Sequence, residues 1–182
     1  MNENEFVEKV AQLVREVLPK KYVPKPKANL YYQITLDNKL DIIVNPKEPK
    51  RGQSAFQTDL CIFLQKNGVL LPKVVFEFKR EITTHDVITY SSKARRHKQI
   101  YPYLRYGLIS YDISRIPRKF FIHNEGLDFH IALKDHMSNL DRVLAGLIKE
   151  ELEMSDVLES TIFGTNDFDF FRTRVEFKKL ER

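Results

Sequence analysis

Two short runs of the chain set an acid, one spacer and a lysine among apolar residues. They are Glu77-Phe78-Lys79 in KVVFEFKRE (Lys73 to Glu81) and Glu176-Phe177-Lys178 in RVEFKKL (Arg174 to Leu180). On a strand, side chains alternate, so Val75, Glu77 and Lys79 share one face and Val74, Phe76 and Phe78 the other. A strand this apolar reads as covered on both sides. A charged pair on a covered face is costly unless it is paired or binds something. A second acid, Asp59 in FQTDLCIF, lies eighteen residues upstream. Two carboxylates converging at strand ends suit a hard divalent cation such as magnesium. A lysine two residues beyond one ligand can position a metal-bound water or stabilise charge on a phosphate.

The second run reads differently. Phe171, Thr173, Val175 and Phe177 alternate with Arg172, Arg174, Glu176 and Lys178. Full alternation marks a half-buried strand with a solvated charged face. Glu176 and Lys178 have arginine neighbours there, and no preceding strand brings an acid to them.

The elements around the first triplet follow from periodicity. Phe6, Val10, Leu13, Val14 and Val17 predict a helix from Glu3 to Leu18, with Asn2 and Glu5 as a capping box. Pro19 and VPKPK end it in an extended connection. LYYQITL and KLDIIV read as short strands around Asp37-Asn38. AFQTDLCIFL and KVVFEFKRE read as a hairpin joined at Asn67-Gly68. A helix from Thr84 to Tyr101 follows, capped by Thr83 or Thr84, and then the strand YGLISYD. KFFIHNEGLDFHIAL reads as two strands around NEG. SNLDRVLAGLIKEELEM is an amphipathic helix, and the tail FDFFRTRVEFKKL a last strand. The expected architecture is α/β (α+β): a central mixed sheet flanked by helices, with a C-terminal hairpin, helix and strand. One domain spans 1–182, its core about 1–112 and its elaboration about 113–182.

The hairpin register is decisive. A two-residue turn at Asn67-Gly68 pairs Lys66 with Val69 and, counted back, Asp59 with Phe76. That sets Asp59 and Glu77 on opposite faces. One extra residue on the return strand corrects this, so a bulge or lengthened turn is expected between Asn67 and Lys73, Pro72 being a suitable place.

Asp59, the Glu77-Phe78-Lys79 triplet across a hairpin, the flanking helices and the strand YGLISYD resemble the PD-(D/E)XK nuclease superfamily, with its restriction-endonuclease-like fold. The resemblance covers roughly the first two-thirds of the chain; Thr58 stands where a proline precedes the first acid in that motif. It implies that Asp59 and Glu77 hold Mg2+ (Mn2+ as a substitute), with the Phe78 backbone carbonyl as a further ligand. It also implies that Lys79 assists the attacking water. Such nucleases often add an acid from the first helix. Glu3 falls within the apolar stripe there and is the candidate, against the alternative of a solvated N-terminus. On the helix after the triplet, Tyr90, Lys93, Arg96 and His97 share one side. Lys93, Arg96 and His97 are candidate phosphate contacts, against a plain solvated basic face.

The resemblance implies a metal-dependent DNA endonuclease of the type II restriction kind. A repair or resolvase nuclease, or the nuclease domain of a larger restriction subunit, is the near alternative. A non-catalytic nucleic-acid binding module on the same fold is the alternative of another class. Cutting both strands predicts a homodimer. The net charge of +5 is concentrated in PKKYVPKPK and SSKARRHKQ, as DNA binding or solubility would have it. One cysteine, Cys61, gives no disulfide or zinc framework. No apolar run approaches a membrane span, and MNENEFVEKV is no signal peptide. The expected location is the cytoplasm. Among six glycines no phosphate-binding loop occurs.

Overall fold

The apolar stripe of the N-terminus forms helix α1 (Glu3–Val17), which buries Phe6, Val7, Val10, Ala11, Leu13 and Val14. Its capping box is made: the Asn2 side chain accepts from the Glu5 N–H, and Glu5 accepts from the Asn2 N–H, both at 2.9 Å. The computed structural model describes residues 2–165, 168–172 and 175–180.

After α1 come β1 (Tyr22–Pro26), β2 (Asn29–Tyr31), β3 (Ala55–Gln57), β4 (Leu60–Lys66) and β5 (Val69–Lys79). Helix α2 (Thr84–Ile100), strand β6 (Arg105–Ser110), helix α3 (Arg118–His123), strand β7 (Phe129–Ala132), a 3-10 segment (Lys134–Asn139) and helix α4 (Leu140–Phe163) complete the chain. A central five-stranded mixed sheet has the order β1-β4-β5-β6-β7, and β2 with β3 forms a separate pair. β1, β4 and β5 run antiparallel, whereas β5, β6 and β7 are parallel. α1 and α4 pack with Leu60, Ile62, Val74, Phe76 and Phe78 on one face. α2 packs with Cys61, Val75, Tyr106 and Leu108 on the other.

The β4–β5 hairpin carries the expected bulge. Lys66 pairs with Val69 across Asn67-Gly68, both in the left-handed region that a tight turn needs. Phe63 then faces Pro72, but Ile62 faces Val74, so Lys73 is the extra residue. Beyond it Leu60 faces Phe76, and one step further Asp59 comes opposite Glu77.

Several expectations need correction. LYYQITL and KLDIIV do not pair as strands: β2 ends at Tyr31 and pairs with β3, and only a bridge joins Leu36 to Ile42. Asp37 Oδ1 accepts from the Lys39 and Asp41 N–H groups there, drawing off donors that a ladder would use. VPKPK is not a bare connection but edge strand β1, where proline is tolerated.

Residues 118–132 are not a hairpin. KFFIH lacks alternation, with Phe120 buried and Phe121 and Ile122 exposed, and it coils into α3 after Pro117. β7 then joins the main sheet in parallel. The C-terminal run is no strand in its described residues. Phe171 is 86% exposed, Phe177 meets Phe121 in a ring contact, and Leu180 packs on the core. The apolar face that alternation predicted stays open, since Val175 and Phe177 are also largely exposed; Thr173 and Arg174 lie outside the described residues. α4 runs on to Phe163, longer than expected, because Leu140, Leu144, Ile148 and Leu152 keep one face buried. β7 and α4 share the core of α1 and β5, so these C-terminal elements are built into that core. No helix among the described residues is long and apolar enough to cross a membrane.

Candidate active site

β5 lies between an antiparallel and a parallel neighbour, and the acids gather at its C-terminal end. Ligands in open α/β sheets bind at the carboxyl ends of strands, where strand order reverses or direction changes. Past Leu60 the chain leaves the ladder, because the Thr58 N–H and hydroxyl both donate to the Ala28 carbonyl, at 2.8 and 3.0 Å. The Phe78 N–H, deprived of that neighbour, donates to Asp59 Oδ2 at 2.8 Å. A strand residue points its N–H and C=O toward the same neighbour. The Phe78 carbonyl is therefore on the Asp59 side.

Glu77 is 1% exposed. It accepts from the Asp59 N–H at 3.3 Å, from Lys93 Nζ at 2.6 Å, and from the Tyr106 hydroxyl. Burial raises its pKa to about 7, and the nearby Asp59 adds to this; Lys93 and Tyr106 pull the other way. Tyr106 is raised well above the usual phenol value, first by burial and then by Glu77.

Lys79 lies 3.3 Å from Glu3 Oε2. Burial works against its charge, yet Tyr90 and Glu3 outweigh this and raise its pKa. Lys79 is thus a fixed cation. The Tyr90 ring stands between two ammonium groups, 5.8 Å from both Lys79 and Lys93 Nζ. Burial, followed by the Glu77 charge, raises Tyr90 to about 12.

The structure therefore brings Asp59, Glu77 and the Phe78 carbonyl together, with Lys79, Glu3, Tyr90 and Lys93 around them. Glu3 faces the sheet, as its place on α1 predicts, but its partner is Lys79 and not the acid pair. Among the described residues no three His, Cys, Asp or Glu side chains stand close enough to hold a metal ion. Glu3, the expected third ligand, is engaged by Lys79 instead.

His97 as a phosphate contact is corrected too. It is 0% exposed, its Nδ1 lies 2.9 Å from the Tyr31 carbonyl, and its ring stacks on Tyr106. Burial lowers its pKa to about 4. Lys93 turns inward to Glu77 and to the Gln57 carbonyl at 2.5 Å. Arg96 remains at the surface, over the Tyr32 ring. Tyr106 escaped the sequence reading; the signal was a tyrosine in a buried parallel strand, whose hydroxyl needs a partner.

The donor set suits some cations and not others. Magnesium keeps several waters and asks for only one or two carboxylates, which Asp59 and Glu77 supply beside a main-chain carbonyl. The Cys61 thiol is sealed in the core and His97 Nδ1 is engaged by the Tyr31 carbonyl, so the groups gathered at the acid pair are oxygen donors. The residues thus fit Mg2+, and Mn2+ by the same oxygen chemistry. No protein-family model matches the chain, and no curated protein matches it either.

Proposed function

We propose that this protein is a metal-dependent DNA endonuclease that hydrolyses phosphodiester bonds. One observation carries the reading: buried Glu77 accepts from the Asp59 N–H at 3.3 Å while Asp59 Oδ2 accepts from the Phe78 N–H at 2.8 Å, which sets the two acids side by side at the end of β5 in a register that a single bulge creates. Burying such a pair has a folding cost that a bound cation offsets. Asp59, Glu77 and the Phe78 carbonyl would hold the magnesium. The ion, when bound, supplies a Lewis acid and a water of lowered pKa.

The side chains around it have distinct tasks. Lys79 keeps its proton, so it acts as a donor and a charge, not as a base. It orients the attacking water and stabilises the negative charge that grows on the phosphate oxygens. Glu3 holds Lys79 in place. Tyr106 fixes the Glu77 carboxylate. Lys93, once released from Glu77 by a competing cation, is placed to meet a phosphate.

A type II-like restriction role suits this reading, with a repair or resolvase nuclease, or a part of a larger restriction assembly, as its neighbours. Two duplex cuts call for two sites, so a homodimer belongs to it; light scattering at the mass of one chain would remove that part. A second reading is favoured by Lys93. Its ammonium, 2.6 Å from Glu77, neutralises the acid pair without a metal, as a non-catalytic binding module would have it. Incubating plasmid DNA with the protein, with and without magnesium, separates the two. Magnesium-dependent cleavage supports the nuclease; intact plasmid across metals and substrates supports the module.

A further inference from the structure

Beyond Lys93, α2 lines a second feature. A cleft of about 470 Å³ is bounded by Tyr32, Gln33, Ser92, Arg95, Arg96 and Gln99. The rings of Tyr32 and Phe56 stack at 4.0 Å and 19°, and the Arg96 guanidinium lies 5.8 Å over the Tyr32 ring. Phe56, Tyr32 and Arg96 thus form a column of flat groups. The column is anchored from below. Phe56 meets the His97 ring edge-on at 6.0 Å, His97 lies flat on Tyr106 at 5.7 Å, and Tyr106 donates to Glu77. The cleft and the acid pair are therefore joined by a chain of ring contacts that ends in a hydrogen bond.

Flat groups in a polar cleft have a recognisable partner. Nucleobases stack on aromatic rings and on guanidinium planes, and arginine forks onto phosphate. Arg95 is tied to Glu125 in an exposed pair at 2.8 Å that water and phosphate readily replace. Arg96 follows Lys93 by three residues, about 5 Å along the helix. That spans one to two steps of a nucleic-acid strand, at about 3.4 Å each along a duplex. The volume is that of a pocket for one small ligand, and a base can stack on the column only where it is free of its own neighbours in a duplex.

We propose that this cleft holds an unpaired nucleotide next to the bond to be cut, its base on the Arg96–Tyr32 column and its phosphate on Arg95 and Arg96. The position of that bond rests on the nuclease reading. The substrate class narrows accordingly to single-stranded or locally opened nucleic acid, which within the nuclease reading favours a repair or resolvase nuclease over a duplex-cutting restriction enzyme. The test is fluorescence anisotropy in EDTA, with labelled strands of about ten nucleotides, a length typical of single-strand sites. Single-stranded DNA, single-stranded RNA and the duplex of the same sequence are compared; the tighter single strand names the sugar. Single strands are expected to bind at least about tenfold tighter than duplex, and Tyr32→Ala and Arg96→Lys each to weaken them about 5- to 100-fold. Arg96→Lys keeps the charge and removes the plane, and its exposed position leaves folding intact if Tyr32→Ala does not fold. Duplex bound as tightly as single strands, or an Arg96→Lys protein that binds like the parent, overturns the proposal. Cleavage with magnesium is scored separately. Intact cleavage with no effect of Arg96→Lys on binding removes the cleft and leaves the nuclease. Single-strand binding through Arg96 with no cleavage under any metal supports the cleft and removes the nuclease.

Discussion

Lys73 Nζ lies 2.6 Å from Glu159 Oε2, which ties the extra residue of β5 to the far half of α4. Asp156 adds a second carboxylate at 2.7 Å, and the Tyr103 ring lies 5.1 Å from the ammonium, whose side chain is fully buried. The bulge that aligns Asp59 with Glu77 is therefore pinned by a helix on the other side of the sequence.

Lys73→Ala should destabilise the protein by about 2–3 kcal/mol, somewhat less than a wholly buried pair, because Asp156 and Glu159 are partly exposed. Combining Lys73→Met with Asp156→Asn and Glu159→Gln should recover most of the loss. Urea denaturation measures both. A Lys73→Ala protein as stable as the parent would show that the pairing is idle.

The two triplets provide a matched comparison. Asp59→Asn and Glu77→Gln should abolish magnesium binding by calorimetry and reduce cleavage below detection. These isosteres keep the cap on Phe78 and an acceptor for Tyr106, so circular dichroism should stay unchanged. Lys79→Ala should retain magnesium binding yet lose about 100- to 1000-fold in rate. Glu176→Ala and Lys178→Ala should leave cleavage as it is, since Lys178 pairs with Glu150 and Glu176 at the surface. Dependence on the C-terminal pair instead would overturn the site.

Tyr106→Phe removes one hydroxyl behind Glu77 and little else. It should weaken magnesium binding or cleavage about 10- to 100-fold, the usual effect of freeing a ligand from its support. Equal affinity and rate in Tyr106→Phe would mean that Asp59 and Lys93 alone orient the carboxylate.

Stability should depend on pH in two opposed ways. Burial sets Glu77 at about 7 against an ordinary 4.5, so the folded chain holds a proton that the unfolded chain has released. That contribution is complete below pH 4.5 and is lost as pH rises to about 7. Burial sets His97 and His130 at about 4 against 6.5. Their contribution is complete above pH 6.5 and is lost as pH falls toward 4. The two histidines favour a rise of the urea midpoint from pH 4.5 to 6.5, which Glu77 and Glu151, also raised by burial, oppose. Glu77→Gln should steepen the rise and His97→Gln should flatten it. Magnesium competes with the Glu77 proton, so its affinity should increase up to about pH 7 with proton release, visible in buffers of different ionisation enthalpy.

Periodicity made α1, α2 and the β4–β5 hairpin legible, because each pattern repeats over enough residues to outweigh local exceptions. The bulge was legible for a sharper reason: without it Asp59 and Glu77 fall on opposite faces, so the site itself demands it. What failed were short segments settled by distant partners. KFFIH carries apolar residues that suit either period, and Pro117 with the Phe120 contact decides for a helix. LYYQITL has strand composition, but its neighbour is β3, more than twenty residues on. In the site, Lys93 and His97 share a helix side and a polar character. Only the third dimension sends one to Glu77 and the other under Phe56.

β1 has a further consequence, for how copies of this chain meet. The Lys27 N–H points to the Asp59 carbonyl on the β4 side, so by alternation residues 22, 24 and 26 turn their nitrogens outward. Pro24 and Pro26 have no hydrogen there, and the Tyr22 N–H is already donated to the Pro19 carbonyl at 2.9 Å. The outer rim of β1 thus offers carbonyls without a single free donor along its length. An incoming strand finds half a ladder at most, and the strand-by-strand polymerisation that builds cross-β fibres has no starting template on that rim.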